Sequence, residues 1–283
     1  MAKIENQTTL YKQNVEAIQS KLTECGFEEN LPIYAIPDAI DGVLGLHKVF
    51  VCARSGTLYT KEQIQKMTVQ QVGAMIPAVR GILLCAEGHR LLIAPTDAFL
   101  PDEETGGENY KLFWGGYGFD TSMVNVTGQN GILEQSGKTA ALLDYEGYSK
   151  TQIMKVELED AQVITPASSS AEETKMQTGS EVYRAISRYE ELTQISGGEK
   201  GWYLPSAGEL SLIYRNLDDV HNLMDTFNNK LGIAMFTRFT TEYYWSSSEG
   251  SSTSAWYVYF STGNLYSNNG KFGQNRARAV AAF

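Results

Sequence analysis

The stretch from Tyr243 to Phe283 reads YYWSSSEGSSTSAWYVYFSTGNLYSNNGKFGQNRARAVAAF, and its residue types suit noncovalent recognition rather than bond-making. Trp256, Val258 and Phe260 alternate with Tyr257, Tyr259 and Ser261. A period of two describes a strand with one buried face and one wet face. The wet face is rich in Tyr, Ser, Gly and Asn, which give contact area and hydrogen bonds at low entropic cost, as on antibody-type surfaces. On composition alone, the same pattern also suits a solvated hairpin series with aromatic core contacts.

Reactive side chains elsewhere are scattered. Cys25, Cys52 and Cys85 form no CxxC pair, and an odd count suits a reducing compartment. Cys52 and Cys85 lie in apolar runs and are expected as buried small hydrophobes. His47, His89 and His221 share no ligand spacing, so no metal site is expected. Gly137-Lys138-Thr139 looks like the end of a phosphate loop but lacks the upstream glycines, which argues against nucleotide binding. The acidic run Asp102-Glu103-Glu104 reads as a solvated loop rather than a calcium site.

The chain has 283 residues, 42% of them hydrophobic and 11% aromatic, which is ample for one large core or two smaller ones. A formal charge of −10 argues against nucleic acid as partner, because phosphate neutralisation needs clustered Lys and Arg. No apolar run approaches the length of a membrane span, so no membrane insertion is expected. The opening MAKIENQTTLYK lacks the apolar core of a secretory signal, which implies synthesis in the cytoplasm.

The pattern predicts a helix over 8–27, with Tyr11, Val15, Ile18, Leu22 and Cys25 in an a/d stripe. That stripe suits packing on its own domain or a short oligomerisation seam. Strands are expected at Leu31–Ile36 and Val43–Ala53, and a helix at Lys61–Met75 capped by a Thr60/Gln63 box. Gly81–Pro95 reads as a hairpin, with His89 in its turn. Residues 98–135 are loop-rich, and the glycines of Trp114-Gly115-Gly116-Tyr117-Gly118 are needed for tight turns around large rings. A helix and then a strand are expected over 137–158, an exposed insertion at Thr165–Gly179, a helix at Glu181–Ile195, and another beginning at Ser206.

The series Gly201-Trp202-Tyr203-Leu204-Pro205-Ser206, Glu209-Leu210, Tyr244-Trp245-Ser246-Ser247-Ser248-Glu249, Ala255-Trp256, Gly263, Lys271 and Arg276 to Phe283 resembles a known family. It is the C-type-lectin-fold domain related to the formylglycine-generating enzyme, of the Lcl C-terminal type. Within it, the chain is most similar to the variable proteins of diversity-generating retroelements, often carried by phages and prophages. The resemblance is clearest over residues 197–283 and runs more weakly back to Arg80. It implies an α+β fold: a C-type lectin fold C-terminal domain with short antiparallel strands, two helices and many loops, plus a small α/β N-terminal region. The expected division is 1–78 for attachment or oligomerisation and 79–283 for ligand binding, with a variable segment at about 243–278.

In that family a reverse transcriptase miscopies template adenines, so Asn-type codons (AAC, AAT) become Tyr, Ser, Gly, Thr, Phe, Asp or His. Trp245, Glu249, Trp256, Lys271 and Gln274 cannot arise this way and fall at frame positions. Gly250, Ser252, Thr253, Tyr257, Tyr259, Ser261, Asn264, Tyr266, Asn268, Gly270, Phe272, Gly273 and Asn275 all can, and are the ligand-facing positions that the resemblance implies. Trp202, Trp245, Trp256, Phe260 and Val280 are the expected buried scaffold.

The resemblance further implies a hypervariable receptor-binding protein, whose partner is a protein or glycan on a bacterial surface. It also implies a homotrimer and a phage tail component assembled into a virion. An enzyme of the formylglycine-generating type would need reactive cysteines in the lectin-type core, and none follows Cys85, so no catalytic activity and no cofactor are expected. A calcium-dependent lectin would need a carboxylate-rich loop, and residues 243–283 hold only Glu249. A non-diversified structural or adhesive surface protein of the same fold is the alternative.

Overall fold

The computed structural model describes residues 48–102, 104–123, 135–159, 179–268 and 270–283. The helix expected over 8–27, the strand at 31–36 and all of the insertion expected at 165–179 except Gly179 lie outside the described residues.

Strand β1 (Val49–Ala53) pairs antiparallel with β2 (Leu58–Tyr59). The single helix expected over 61–75 is two, α1 (Lys61–Lys66) and α2 (Val69–Met75). The reason is a second start signal. Thr60 with Gln63 and Thr68 with Gln71 each form a complete capping box, and the second box interrupts the first helix. The hairpin of β3 (Val79–Ala86) and β4 (His89–Ile93) is as expected, although the turn is Glu87-Gly88 and His89 already belongs to the strand. His89 stacks on Tyr145 with ring centroids 3.7 Å apart.

β1 also pairs with β3, Val51 opposite Ile82, and β12 (Val280–Ala282) pairs with β4, Val280 opposite Ile93. The result is one five-stranded antiparallel sheet ordered β12-β4-β3-β1-β2. It runs across residue 78, so the division expected there does not separate two sheets.

The sheet's alternation sorts the core into two clusters. Val51, Ile82, Leu84, Leu91, Ile93 and Val280 face one side. Phe50, Cys52, Leu83, Leu92 and Ala281 face the other. Cys52 is fully buried, whereas Cys85 is only partly so.

Short strands β5 (Leu100–Pro101) and β6 (Glu108–Asn109) pair with each other, and β7 (Leu112–Phe113) follows. The helix-then-strand expected over 137–158 is instead two helices, α3 (Gln135–Leu142) and α4 (Gly147–Leu158). Lys150, Thr151, Met154 and Leu158 bury one stripe of α4 at helical spacing, which overrides the strand reading. The helix expected over 181–195 breaks at Arg188 into α5 (Glu181–Ser187) and α6 (Tyr189–Thr193). Helices α7 (Ala207–Arg215), capped by Ser206 with Glu209, and α8 (Leu217–Leu231) follow. The α+β class with short antiparallel strands holds, with more helices than the two expected of the lectin-type part.

A second sheet, ordered β10-β9-β8, comprises β8 (Tyr243–Ser251), β9 (Ser254–Tyr259) and β10 (Asn264–Tyr266). Its inner face joins the cluster that includes Val220, Leu223, Met224 and Phe227 of α8. β11 (Gln274–Asn275) pairs with β7, Asn275 opposite Leu112.

Candidate functional site: the outer face of the second sheet

Register decides what this face presents. Tyr243 lies opposite Tyr259, which lies opposite Asn264; Trp245 lies opposite Tyr257, which lies opposite Tyr266. In strands that alternate sides, these residues share one face, while Tyr244, Trp256, Val258 and Leu265 share the other. All five expected scaffold residues, Trp202, Trp245, Trp256, Phe260 and Val280, are buried. Trp245 and Trp256 enter opposite core clusters, so the sheet is pinned from both sides.

The outer face is an aromatic ladder. Tyr243 meets Tyr259 with centroids 4.5 Å apart and Tyr257 edge-on at 5.4 Å. Tyr257 meets Tyr266 at 5.8 Å, and the Lys138 ammonium stands 5.5 Å from the centre of the Tyr266 ring. Farther along, Tyr117 meets Phe272 at 5.1 Å.

The thirteen expected ligand-facing positions divide. Thr253, Ser261, Asn264, Asn268 and Phe272 are exposed, and Ser252, Tyr259, Tyr266, Gly270 and Gly273 are partly so. Gly250, Tyr257 and Asn275 are buried, which corrects their expected exposure. Tyr257 is enclosed by Trp245, Tyr243 and Tyr266, and its hydroxyl donates to Asn268 Oδ1. Asn275 is paired with Leu112 of β7, and Gly250 lies against Ser254, whose Oγ is 2.9 Å from where a Cβ would stand.

Sequence reasoning missed two aromatic members. Tyr243 is exposed and Tyr117 partly so. The signal for Tyr243 was present: extending the period of two upstream from Trp245 puts it on the same face.

Beneath the face, polar side chains hold the frame. Glu249 and Lys271 form an ion pair with both side chains fully buried. Thr121 Oγ1 donates to Glu249, Lys271 Nζ donates to the Phe119 carbonyl at 2.8 Å, and the Trp114 ring centre lies 4.8 Å from that nitrogen. Burial pushes the Glu249 carboxyl up and the Lys271 ammonium down, and their mutual attraction opposes both shifts. The three serines after Trp245 are buried frame rather than display: Ser246 Oγ donates to the Trp256 carbonyl at 2.7 Å, and Ser248 Oγ to Asp144. Asp144 in turn accepts from buried Lys150. On the inner side, Asp97 accepts from Arg278 at 2.7 Å, Arg276 at 3.1 Å and Tyr244 at 3.0 Å.

Two glycines explain themselves. Gly115 has φ 84°, and a Cβ there would fall 2.0 Å from the Gly179 carbonyl oxygen. Gly263 has φ 73° in the turn between β9 and β10, and a Cβ would fall 2.0 Å from the Tyr214 ring. Gly263→Ala therefore combines left-handed strain with a ring clash and should cost about 2–3 kcal/mol. Urea unfolding checks this; a loss under about 0.5 kcal/mol, the level of an ordinary surface change, would show that the turn is not constrained.

The fold and face together define an α+β scaffold with a buried frame and an aromatic, amide-rich surface. Residues 155–281 match the family model of the Lcl C-terminal domain, so this part of the chain is similar to Lcl-type domains. No curated protein matches the chain. It is similar to the crystal structure of a fimbrial protein from Bacteroides ovatus ATCC 8483, at 14% identity and a TM-score of 0.49. That likeness covers 83% of this chain and 48% of the fimbrial protein, so the chain spans about half of it. Among the described residues, no helix is long and apolar enough to cross a membrane, and no group of three His, Cys, Asp or Glu is placed to hold a metal ion.

Proposed function

We propose that the outer face of β8, β9 and β10 is a ligand-binding surface, and that this chain is an adhesive or receptor-binding protein rather than an enzyme. The observation that supports it is the ladder Tyr243–Tyr259–Tyr257–Tyr266, flanked by Asn264, Asn268 and Phe272, on a sheet pinned by two buried tryptophans. Tyr243 and Phe272 remain about 40% exposed with no core duty, and exposed aromatic clusters mark interaction sites. The partner is a protein or glycan on a bacterial surface, bound without a metal or cofactor.

We further propose that the segment is diversified by a retroelement, as the Asn-codon logic of its exposed positions suggests. A template repeat nearly identical to the DNA of residues 243–278, beside a reverse transcriptase gene, supports diversification. Its absence leaves the alternative, an adhesive surface protein of unvaried sequence.

The binding reading is tested by a library at Thr253, Ser261, Asn264, Asn268 and Phe272, drawn from residues that Asn codons reach. Folding and binding to bacterial cells are scored in parallel, with and without a calcium chelator. Variants should change binding with little movement of the thermal midpoint, and the chelator should change neither. Widespread unfolding would place these residues in the core and overturn the display reading.

A further inference from the structure

The ion pair Glu249–Lys271 brackets the segment that holds most of the exposed face, and the bonds that set the path of that segment are mostly main-chain. Gly118 N–H donates to the Ser252 carbonyl at 2.9 Å, and Lys271 N–H donates to the Thr253 carbonyl at 2.9 Å. Gly115 N–H donates to the Lys271 carbonyl at 3.1 Å, and Gly273 N–H to that of Gly270 at 2.7 Å. Between these anchors, the β9–β10 ladder is closed by the Thr262 and Gly263 N–H groups, both donating to the Tyr259 carbonyl. Main-chain bonds survive a change of side chain.

Some side chains within the segment bond to one another, Tyr257 to Asn268 and Ser251 to Ser254 among them, but those of the closing ion pair come from outside it. Glu249 precedes it and Lys271 follows it. Thr121, Phe119 and Trp114, which contact the pair, belong to a distant stretch of chain. With both partners fully buried, water does not compete for the contact.

We propose that Glu249 and Lys271 are positioning residues for the binding face: a buried clasp that holds the path of the chain from 250 to 268 whatever side chains its exposed positions carry, the buried frame residues of that segment staying fixed. This rests on the reading of that face as a binding surface. The clasp would let exposed positions such as Thr253, Asn264 and Asn268 change without redirecting their neighbours. It would also keep the segment ordered before a ligand arrives, which lowers the entropic cost of binding.

The test reads folding, not binding, so it stands or falls separately from the functional reading. A library at Thr253, Ser261, Asn264 and Asn268 is made in three backgrounds: the unaltered chain, the double variant Glu249→Gln/Lys271→Met, and a core variant such as Leu223→Ala. The core variant is chosen to match the double variant's unfolding midpoint. Protease resistance scores the folded fraction of each library. The clasp predicts that the double variant loses about tenfold more library members than the matched core variant, because its effect is coupled to the segment. Equal losses in the two destabilised backgrounds would reduce the pair to ordinary stability and overturn the proposal. If the double variant does not fold, amide exchange in the unaltered protein decides. The Lys271 N–H and those of β9 should exchange as slowly as those of β3 and β4; rapid exchange at Lys271 overturns the clasp.

Discussion

Trp256→Ala is expected to lower stability by about 3–5 kcal/mol, and Trp245→Ala by a similar amount, because each empties a fully enclosed aromatic site. That is a large share of a domain's total stability. The two losses arise in different places. Trp256 leaves a cavity in the cluster that contains α8, and Trp245 leaves one in the cluster that contains Trp114 and Leu112. Trp245 also takes away the hydrogen bond from its Nε1 to the Leu112 carbonyl, 2.8 Å long, which leaves that buried carbonyl short of a donor. Urea unfolding of both single variants and of the double variant measures this. Separate cavities predict near-additive losses. A loss below about 1 kcal/mol for either tryptophan would place it outside the frame.

Lys271→Met is expected to be as damaging, again about 3–5 kcal/mol, for a different reason. It leaves the Glu249 carboxylate fully buried without its Lys271 counter-charge, supported among the described residues by Thr121. The double variant Glu249→Gln/Lys271→Met should cost less than Lys271→Met alone, since it removes both charges. The single variant should also respond to pH. Burial already raises the Glu249 carboxyl, and losing Lys271 raises it further. A carboxyl whose pKa is higher folded than unfolded binds its proton more tightly in the folded state, so stability rises as pH falls through the window between the two values. The deficit of Lys271→Met should therefore shrink on acidification toward about pH 4–5, near the unfolded value of a glutamate. A deficit that stays constant from neutral pH to that point would mean that Glu249 is not left as an unpaired buried charge.

Local pattern made much of the frame legible. The period of two in Trp256, Val258 and Phe260 placed all three inside, and the hairpin over 81–95 followed from apolar runs on either side, although its turn ends before His89. What failed was information held by distant partners. Nothing near Tyr257 shows that Trp245 and Tyr266 enclose it, because that contact is made across strands. Gly250 against Ser254 and Asn275 paired with Leu112 of β7 are likewise contacts made across strands. The helix break at Thr68 escaped for a local reason: a polar residue inside an amphipathic stretch reads as helix surface unless its capping partner, here Gln71, is noticed. The break at Arg188 carries no such signal, because that residue makes no side-chain cap. The Glu249–Lys271 pair was half legible. Both were marked as frame positions by residue type, but their contact with each other and with Thr121 depends on tertiary structure.

The order β12-β4-β3-β1-β2 has a consequence for how the chain is made. β12 follows the exposed segment in sequence, yet it completes the sheet begun by residues 49–93. Val280, Ala281 and Ala282 can occupy that edge only if everything between residues 250 and 278 has been translated in the correct frame. A nucleotide inserted or lost within the exposed segment would replace β12 with unrelated residues, leaving β4 unpaired along one side. Such a chain would expose a bare strand edge and the apolar faces of Leu91 and Ile93, marks by which cellular proteases remove unfinished proteins. The first sheet thus proofreads the second, since only chains with an intact reading frame through the exposed segment can close it.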